Sequence, residues 1–598
     1  MPSANSPKFF RFFFAIFFLA ISVVTPVRGN DSTLVLTRAR HVLGLMGPIP
    51  AWRMSGTIRA GKAIGSVALW TDASRPAYAE YDTGPRQITG ASGYDGNEAW
   101  TQSADGVERL APGPPRSVLA GEAYVLSGAI FRLANAAERI DAGPGVDAIR
   151  FSPHGITPFD VWFSHSTGLP ERAIFYGEDT HVYQFSDYRT VGTYVVPFLI
   201  NEDDQVVRLH SASETVGKTL AQVIPAPPSC DCGIAGERSS RVSITLDGAH
   251  IIIGVRLNGR GPYQFVLDTG GHNIMSREVA GELGVAIFGT GRSGGIGSST
   301  VPVSFTAVKR VEVGRAYMLD QSFKIMDIRN GFGRGFSQRI DGVIGYQLLA
   351  RFRTTIDYAK RRVTLSRAQS SLKDAFPFLF DGDMPAVTAR VGTKSGWFGL
   401  DTGSGASLTL LKPFWQKHYP PPTRRVYGSG GIGIGGGQSA WYAMVRDLRW
   451  DGYHFPALVT DFENANNGDL ATTSIAGYFA GNILSRFAIT FDYRSQELEL
   501  VPNPTLLKPE RMQGSGMRVM RANGGVLIYT VLTGSPAYEA GIRSDSILLS
   551  VDGKPVKGLS LAQIRTLLSP LPGTPIAVGV DNGAGLRTVQ LISRNMLP

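Results

Sequence analysis

Cysteine is nearly absent. The 598 residues contain two, Cys230 and Cys232. That excludes a disulfide-stapled scaffold, an iron–sulfur protein and a cysteine-rich zinc site. One residue separates the pair, too few for an ordinary bridge, which leaves free thiols, a strained bridge or an intermolecular link open. Charge is also sparse, at 18% of residues against 43% apolar, so the chain can bury several cores and is not disordered. The formal net charge of +10 is modest for this length. Apart from pairs such as Arg361-Arg362 and Arg424-Arg425, the bases are scattered, and no basic stripe supports nucleic-acid binding. The nine histidines are dispersed, with no His-Glu-x-x-His helix, so no metal or other cofactor is expected. No Gly-x-Ser-x-Gly elbow supports a serine hydrolase.

Long apolar runs are confined to the N-terminus. Lys8 and Arg11 precede the run Phe12 to Val24, and the small Gly29 follows. A basic start, a short apolar core and a small exit residue predict a secretory signal over residues 1–29, and hence a periplasmic or secreted protein. The imperfect Val27-Arg28-Gly29 site leaves an uncleaved membrane anchor as the alternative. Removing three bases and no acid takes +10 to +7.

Glycine is what the chain has in excess: 71 residues, with 36 prolines. An all-helical protein is thereby nearly excluded. After a short helix over 33–45, strand-like runs such as Val67–Leu69, Ala148–Phe151, His181–Phe185 and Thr193–Leu199 predict a mostly antiparallel sheet domain within residues 30–225. A proline-rich stretch, Pro225-Ala226-Pro227-Pro228, ends that region, and a linker over 226–244 with the Cys-x-Cys pair follows.

An internal repeat then appears. IIGVRLNGRGPYQFVLDTG (252–270) is echoed by PAVTARVGTKSGWFGLDTG (385–403), and LLARFRTTIDYAKRRVTL (348–365) by ILSRFAITFDYRSQELEL (483–500). Gly294 to Gly297 is echoed by Gly430 to Gly433, and Val343-Ile344-Gly345 by Phe479-Ala480-Gly481. Two β lobes are expected, over 245–370 and 371–505. Each carries an apolar run ending in Asp-Thr-Gly: Asp268-Thr269-Gly270-Gly271 and Asp401-Thr402-Gly403-Ser404. Two adjacent carboxylates cannot both ionise cheaply, so they share a proton and can serve as base and acid. Each Thr can lock its loop across the axis, and Gly345 and Gly481 would lie in loops crossing behind. A third copy, Asp82-Thr83-Gly84, follows no apolar run and reads as a hairpin turn. Asp357 and Asp492 read as strand ends. His272 reads as a residue that shapes the cleft. The stretches holding Gly291, Gly294, Gly295, Ile296 and Gly297, and Gly430, Gly431, Ile432, Gly433 and Gly435, read as hairpin flaps, since lids need glycine hinges. Gly428-x-Gly430-x-x-Gly433 formally matches a dinucleotide fingerprint, but loop and strand follow it, not a helix.

On those motifs, residues 245–505 resemble the pepsin- and retropepsin-like aspartic proteases, above all bacterial two-lobe members with a C-terminal PDZ domain. The resemblance implies a mainly β, bilobal fold and an endopeptidase using one water held by Asp268 and Asp401, with no metal or cofactor. Gly271 departs from the pattern: it cannot offer a hydroxyl to its carboxylate as Ser404 can, so the two acids are expected to differ. Residues 510–598 resemble an α+β PDZ domain on Gly534-Ser535-Pro536-Ala537, Ala540-Gly541-Ile542 and Val551-Asp552-Gly553. Its peptide-binding turn would be Ser515-Gly516-Met517, and the partner a peptide C-terminus. The N-terminal domain faintly resembles the half-barrels of periplasmic lipoprotein carriers, on Trp52 to Gly56, Gly93 to Gly96 and Gly168-Leu169-Pro170, which implies a lipid or lipoprotein partner. The competing reading is a catalytically inactive envelope scaffold that binds partners through its terminal domains.

Overall fold

The computed structural model describes residues 32–597, apart from 62, 84–88, 217–221, 223–230, 368–369, 523–524 and 584. The expected signal, the prolines of the linker, Gly84 and Cys230 lie outside the described residues. The chain forms two compact units, one up to residue 228 and one from residue 229.

In the first unit, thirteen strands between Ala51 and Thr215 form one antiparallel sheet. Ala51–Ala60 pairs with both Ala63–Asp72 and Gln205–Thr215, so early and late strands meet in its middle. Alternation drives it: along Tyr194–Glu202, Val196, Phe198 and Ile200 are buried while their neighbours are less so. The helix Ser32–Val42 falls where periodicity placed one. The helix Pro114–Leu126, starting on prolines that suit a first turn, was not expected. It buries Val118, Leu119 and Ala123, and sets Gly121 against Phe175. Asp82 and Thr83 end the strand Ala77–Thr83, which pairs with Thr89–Tyr94, as a hairpin requires.

The second unit is also mainly β. Nine strands form one sheet, ten another, and six a third that joins them. In the first, Arg260–Leu267 runs parallel to Gly342–Ile344, which pairs antiparallel with Ile274–Ser276, itself parallel to Ala316–Met326. In the second, Lys394–Asp401 runs parallel to Gly477–Ala480, which pairs antiparallel with Leu408–Leu410, itself parallel to Leu458–Glu463. The order and sense of pairing are the same. The six-stranded sheet sets Arg353–Asp357 against Phe487–Asp492, so the expected boundary near 370 runs through a shared sheet. Asp357 and Asp492 end these two strands, Asp492 ion-paired with Arg353 at 2.6 Å. One apolar core, including Phe265, Leu267, Phe398, Leu400 and Phe479, runs through all three sheets.

The linker expectation needs correction. Within 226–244, Cys232–Ile234 pairs with Ala316–Met326 and Ser239–Ser243 with Arg362–Ser366. Their unpaired edges would otherwise be open, and Ile244 is buried beneath them. Cys232 is disulfide-bonded.

Residues 513–597 fold around five strands in the order Met517–Ala522, Gly525–Val531, Ser546–Val551, Pro575–Asp581, Leu586–Ile592. The helix Leu561–Leu568 starts at a reciprocal Ser560–Gln563 capping box and stops ahead of Pro570. This module packs on the hairpin Val426–Gly433/Gly436–Val445. Thr533 donates its N–H to Tyr427 O and accepts from Tyr427 N, both at 2.8 Å, and Leu532 is buried with Val426 and Tyr442.

Candidate active site

Each Asp-Thr-Gly loop leaves the end of a buried strand, Arg260–Leu267 or Lys394–Asp401. The two loops grip each other reciprocally. Thr269 N donates to Thr402 Oγ1 at 3.0 Å, and Thr402 N to Thr269 Oγ1 at 2.9 Å. Thr402 Oγ1 donates onward to Leu267 O at 2.9 Å, and Thr269 Oγ1 to Leu400 O. Both threonines are fully buried, and the N–H and hydroxyl of each has a partner in this crossing.

The crossing brings the Asp268 and Asp401 carboxyls into hydrogen-bond contact, each only half-buried at the protein surface. Gly270 N donates to Asp268 Oδ1 at 2.9 Å and Gly403 N to Asp401 Oδ1 at 2.8 Å, which fixes the plane of each carboxyl. A Cβ on Gly403 would lie 2.3 Å from Asp268 Cγ, so only glycine lets the second loop meet the first carboxyl. Gly345 sits behind the first loop, where a Cβ would meet Asp268 O and Gly271 O at 2.1 Å. Gly481 does the same for the second loop, donating to Ser404 O at 2.8 Å.

Burial raises both carboxyls above the usual carboxylate range. Asp401 is pushed up to about 8, by burial and then by the charge of Asp268. Backbone donors and the charge of His272 restrain Asp268. The expected asymmetry is therefore present, but not from the Ser404 hydroxyl, which accepts from Ala406 N at 3.3 Å. Asp268 is held down first by the Gly270 N–H and then by His272, whose Nε2 lies 2.9 Å from Asp383 Oδ2 and whose Nδ1 faces Gln347 Nε2 at 3.2 Å. Sequence reading missed Asp383 and Gln347. They stand over 70 positions from His272 in the chain, and neither sits in a motif.

The glycine-rich stretches are the ends of two hairpins, Phe288–Ser293/Val301–Val313 and Val426–Gly433/Gly436–Val445. Gly291 lies on the first, with Gly294, Gly295, Ile296 and Gly297 at its tip. Gly430, Gly431, Ile432 and Gly433 lie on the second, with Gly435 at its tip. The tips meet: Gly297 N donates to Ile434 O at 3.0 Å and Ser299 N to Gly435 O at 3.2 Å. Each also exchanges an isoleucine. Ile296 and Met384 pack on the apolar cluster that holds Tyr478, and a Cβ on Gly270 would meet Met384; Ile434 packs on the cluster that holds Val343, which a Cβ on Gly271 would meet. The hairpins thus span from one sheet to the other beside the paired carboxyls. In the C-terminal module, Ser515 and Gly516 form the turn leading into the strand that starts at Met517, and Ser515 Oγ accepts from Met517 N at 3.3 Å.

Residues 253–348 match the aspartyl protease family model. Residues 527–580 match the PDZ domain model. The carboxy-terminal processing protease CtpA of Bacillus subtilis is 33% identical over 87 residues, 14% of this chain and 18% of that protein. The chain spans about a fifth of the length of the curated relatives it matches. Among solved structures, a photosystem II D1 C-terminal processing protease is 32% identical over 14% of this chain and 23% of its own, with a TM-score of 0.13. A LolA superfamily protein of Nitrosomonas europaea covers 31% of this chain and 94% of its own, at 13% identity and a TM-score of 0.24. A likeness at that level leaves the expected lipid or lipoprotein partner unsupported. Among the described residues no cluster of three metal-ligating side chains occurs, and no helix is long and apolar enough to cross a membrane.

Proposed function

We propose that this chain is an aspartic endopeptidase of two pepsin-like lobes, acting outside the cytoplasm on peptide segments held between the lobes. The carrying observation is the pair of hydrogen-bonded carboxyls, Asp268 and Asp401, on loops locked by the Thr269–Thr402 crossing. The aspartyl protease match over 253–348 supports it. So do the basic start and apolar run of residues 8–24, for the location.

In this reading Asp401, the higher of the pair, carries the shared proton, and Asp268 is ionised. Asp268 takes a proton from a water lying between the carboxyls as its oxygen adds to the scissile carbonyl. Asp401 gives its proton to the carbonyl oxygen. The tetrahedral diol then collapses: a diol hydroxyl returns a proton to Asp401, the C–N bond breaks, and the proton held by Asp268 goes to the departing amine. The backbone N–H groups of Gly270 and Gly403 hold both carboxyls in place throughout. The two hairpins close over the substrate and exclude solvent.

The test is hydrolysis of an unbiased peptide mixture by the full chain across pH, with and without a fluorophosphonate and a chelator. Cleavage that resists both reagents and incorporates one solvent oxygen without an acyl-enzyme is expected. Loss of cleavage on fluorophosphonate treatment, or no cleavage at any pH, overturns the reading.

His272→Gln is a sharper probe of the asymmetry. Removing the imidazole charge lets Asp268 rise, so the acidic limb of the pH–rate profile moves to higher pH. The alkaline limb, set by Asp401, stays. An unmoved acidic limb would assign His272 to packing alone.

A further inference from the structure

In the C-terminal module, Met517–Ala522 is an edge strand, and the helix Leu561–Leu568 lies beside it. Such an edge offers backbone groups to an added strand. Here two of its carbonyls are already engaged. Arg521 O accepts from Arg334 Nε at 2.6 Å, and Val519 O from Arg565 Nη2 at 3.5 Å. The two carbonyls are two residues apart and so point to the same side of the strand.

Arg334 belongs to the segment that joins Ala316–Met326 to Gly342–Ile344 in the nine-stranded sheet. This segment also reaches the helix. Arg565 Nη2 donates to Gly335 O at 2.5 Å, and the N–H of Ala562, in the first turn, donates to Ser337 Oγ at 2.9 Å. First-turn N–H groups have no partner within their own helix, so this bond satisfies a donor that a ligand would otherwise meet. The segment thus touches strand and helix at once, as a peptide in the groove would.

The far side of the same segment leads to the paired carboxyls. Ser337 N and Oγ both donate to the Asp247 carboxylate, which Arg565 Nη1 also faces at 3.5 Å. Phe336 stacks edge-on against His250 at 4.9 Å, and His250 packs on Gly405, two residues beyond Gly403.

We propose that the groove between Met517–Ala522 and Leu561–Leu568 is an intramolecular docking site whose resident partner is Arg334–Ser337. A peptide strand from outside enters only by displacing that segment. Displacement loosens Phe336 from His250 and so reaches the second Asp-Thr-Gly loop through Gly405. Peptide binding and the state of that loop are linked, each affecting the other equally. The proposal rests on reading this module as one that binds peptide strands. It assigns that module a lock on its own chain, with recruitment of other chains secondary.

The test compares the full-length wild type with the double variant Arg334→Ala, Ser337→Ala. The probes are fluorescent peptides with free C-terminal carboxylates and apolar last residues. A tethered competitor present at high effective concentration weakens an external ligand, so the variant should bind about tenfold tighter or more. Amide exchange over 517–522 and 561–566 should be faster in the unliganded variant, while the thermal midpoint shows that it folds. Equal affinity in the two forms with unchanged exchange overturns the docking and leaves the peptide-groove reading standing. Binding by neither form overturns the groove reading and the proposal with it.

Discussion

Asp268→Asn and Asp401→Asn each lower kcat/KM for peptide hydrolysis by about 10⁴-fold or more, because either change removes one of two proton-transfer steps. The double variant is no worse than either single one, since the two carboxyls act as a unit. Folding should survive. The carboxyls are isosteric with the amides, and the loops are held by the Thr269–Thr402 bonds, which involve neither acid. The thermal midpoint therefore stays or rises, as one of two crowded acids has gone. A single variant that keeps more than about a tenth of wild-type activity would sink the paired-acid mechanism. Inactive variants that have also lost their thermal transition would say nothing about chemistry, so both measurements belong together.

The second large effect is on stability. Where the C-terminal module meets the hairpin Gly436–Val445, Asp461 and Glu463 lie buried, and Arg518 stacks on the Tyr442 ring at 4.4 Å. Burial pushes Asp461 up to about 6, and burial plus the charge of Asp461 pushes Glu463 up to about 8. Arg518 opposes both shifts but does not cancel them. The buried Glu463 Oε2 has no hydrogen-bond partner among the described residues.

In the unfolded chain these acids lose their protons near 3.8 and 4.5. Between there and about pH 8 the folded protein holds protons that the unfolded chain releases. Their contribution is thus full at low pH and is lost as pH rises through about 6 and then about 8. Asp401 acts in the same direction. The buried His250 is held below its ordinary value and acts oppositely, its contribution being lost as pH falls.

The thermal midpoint should therefore decline from mildly acidic to mildly alkaline solution, with Glu463 alone accounting for roughly 3–5 kcal/mol. Glu463→Gln should flatten that decline. A wild-type midpoint that rises over this range, or a Glu463→Gln slope equal to the wild-type one, would refute the assignment. The same titration should loosen the module from the hairpin at high pH, since both acids ionise at that junction.

Much of the site was legible from residues alone, for a local reason. An apolar strand followed by Asp-Thr-Gly encodes a carboxyl at a tight turn, and its repetition encodes a partner for it. Thr269, Thr402, Gly345 and Gly481 followed from the same pattern, because the repeat pairs each threonine with its counterpart on the other loop and sets each glycine directly behind its own. The strand ends at Asp357 and Asp492 followed from alternation. The helix Pro114–Leu126 did not, since its mid-helix Gly121 argues against helix until packing on Phe159 and Phe175 overrides it. The strands within 231–244 escaped for a similar reason: three- and five-residue edges carry too little pattern, and only the sheets awaiting them give them a partner.

The sequence by itself determined the candidate groups: which carboxyls, on which turns, beside which glycines, in a mainly β chain. Tertiary structure alone decided how those groups differ and what surrounds them. The His272–Asp383 pair, the Ile296 and Ile434 exchange between hairpin tips, and the seat of Arg334–Ser337 on the C-terminal groove each join distant parts of the chain. No local periodicity records such contacts. They exist only because the core through the three sheets fixes the hairpins and loops in space, and burial then sets the charge of whatever lies between them.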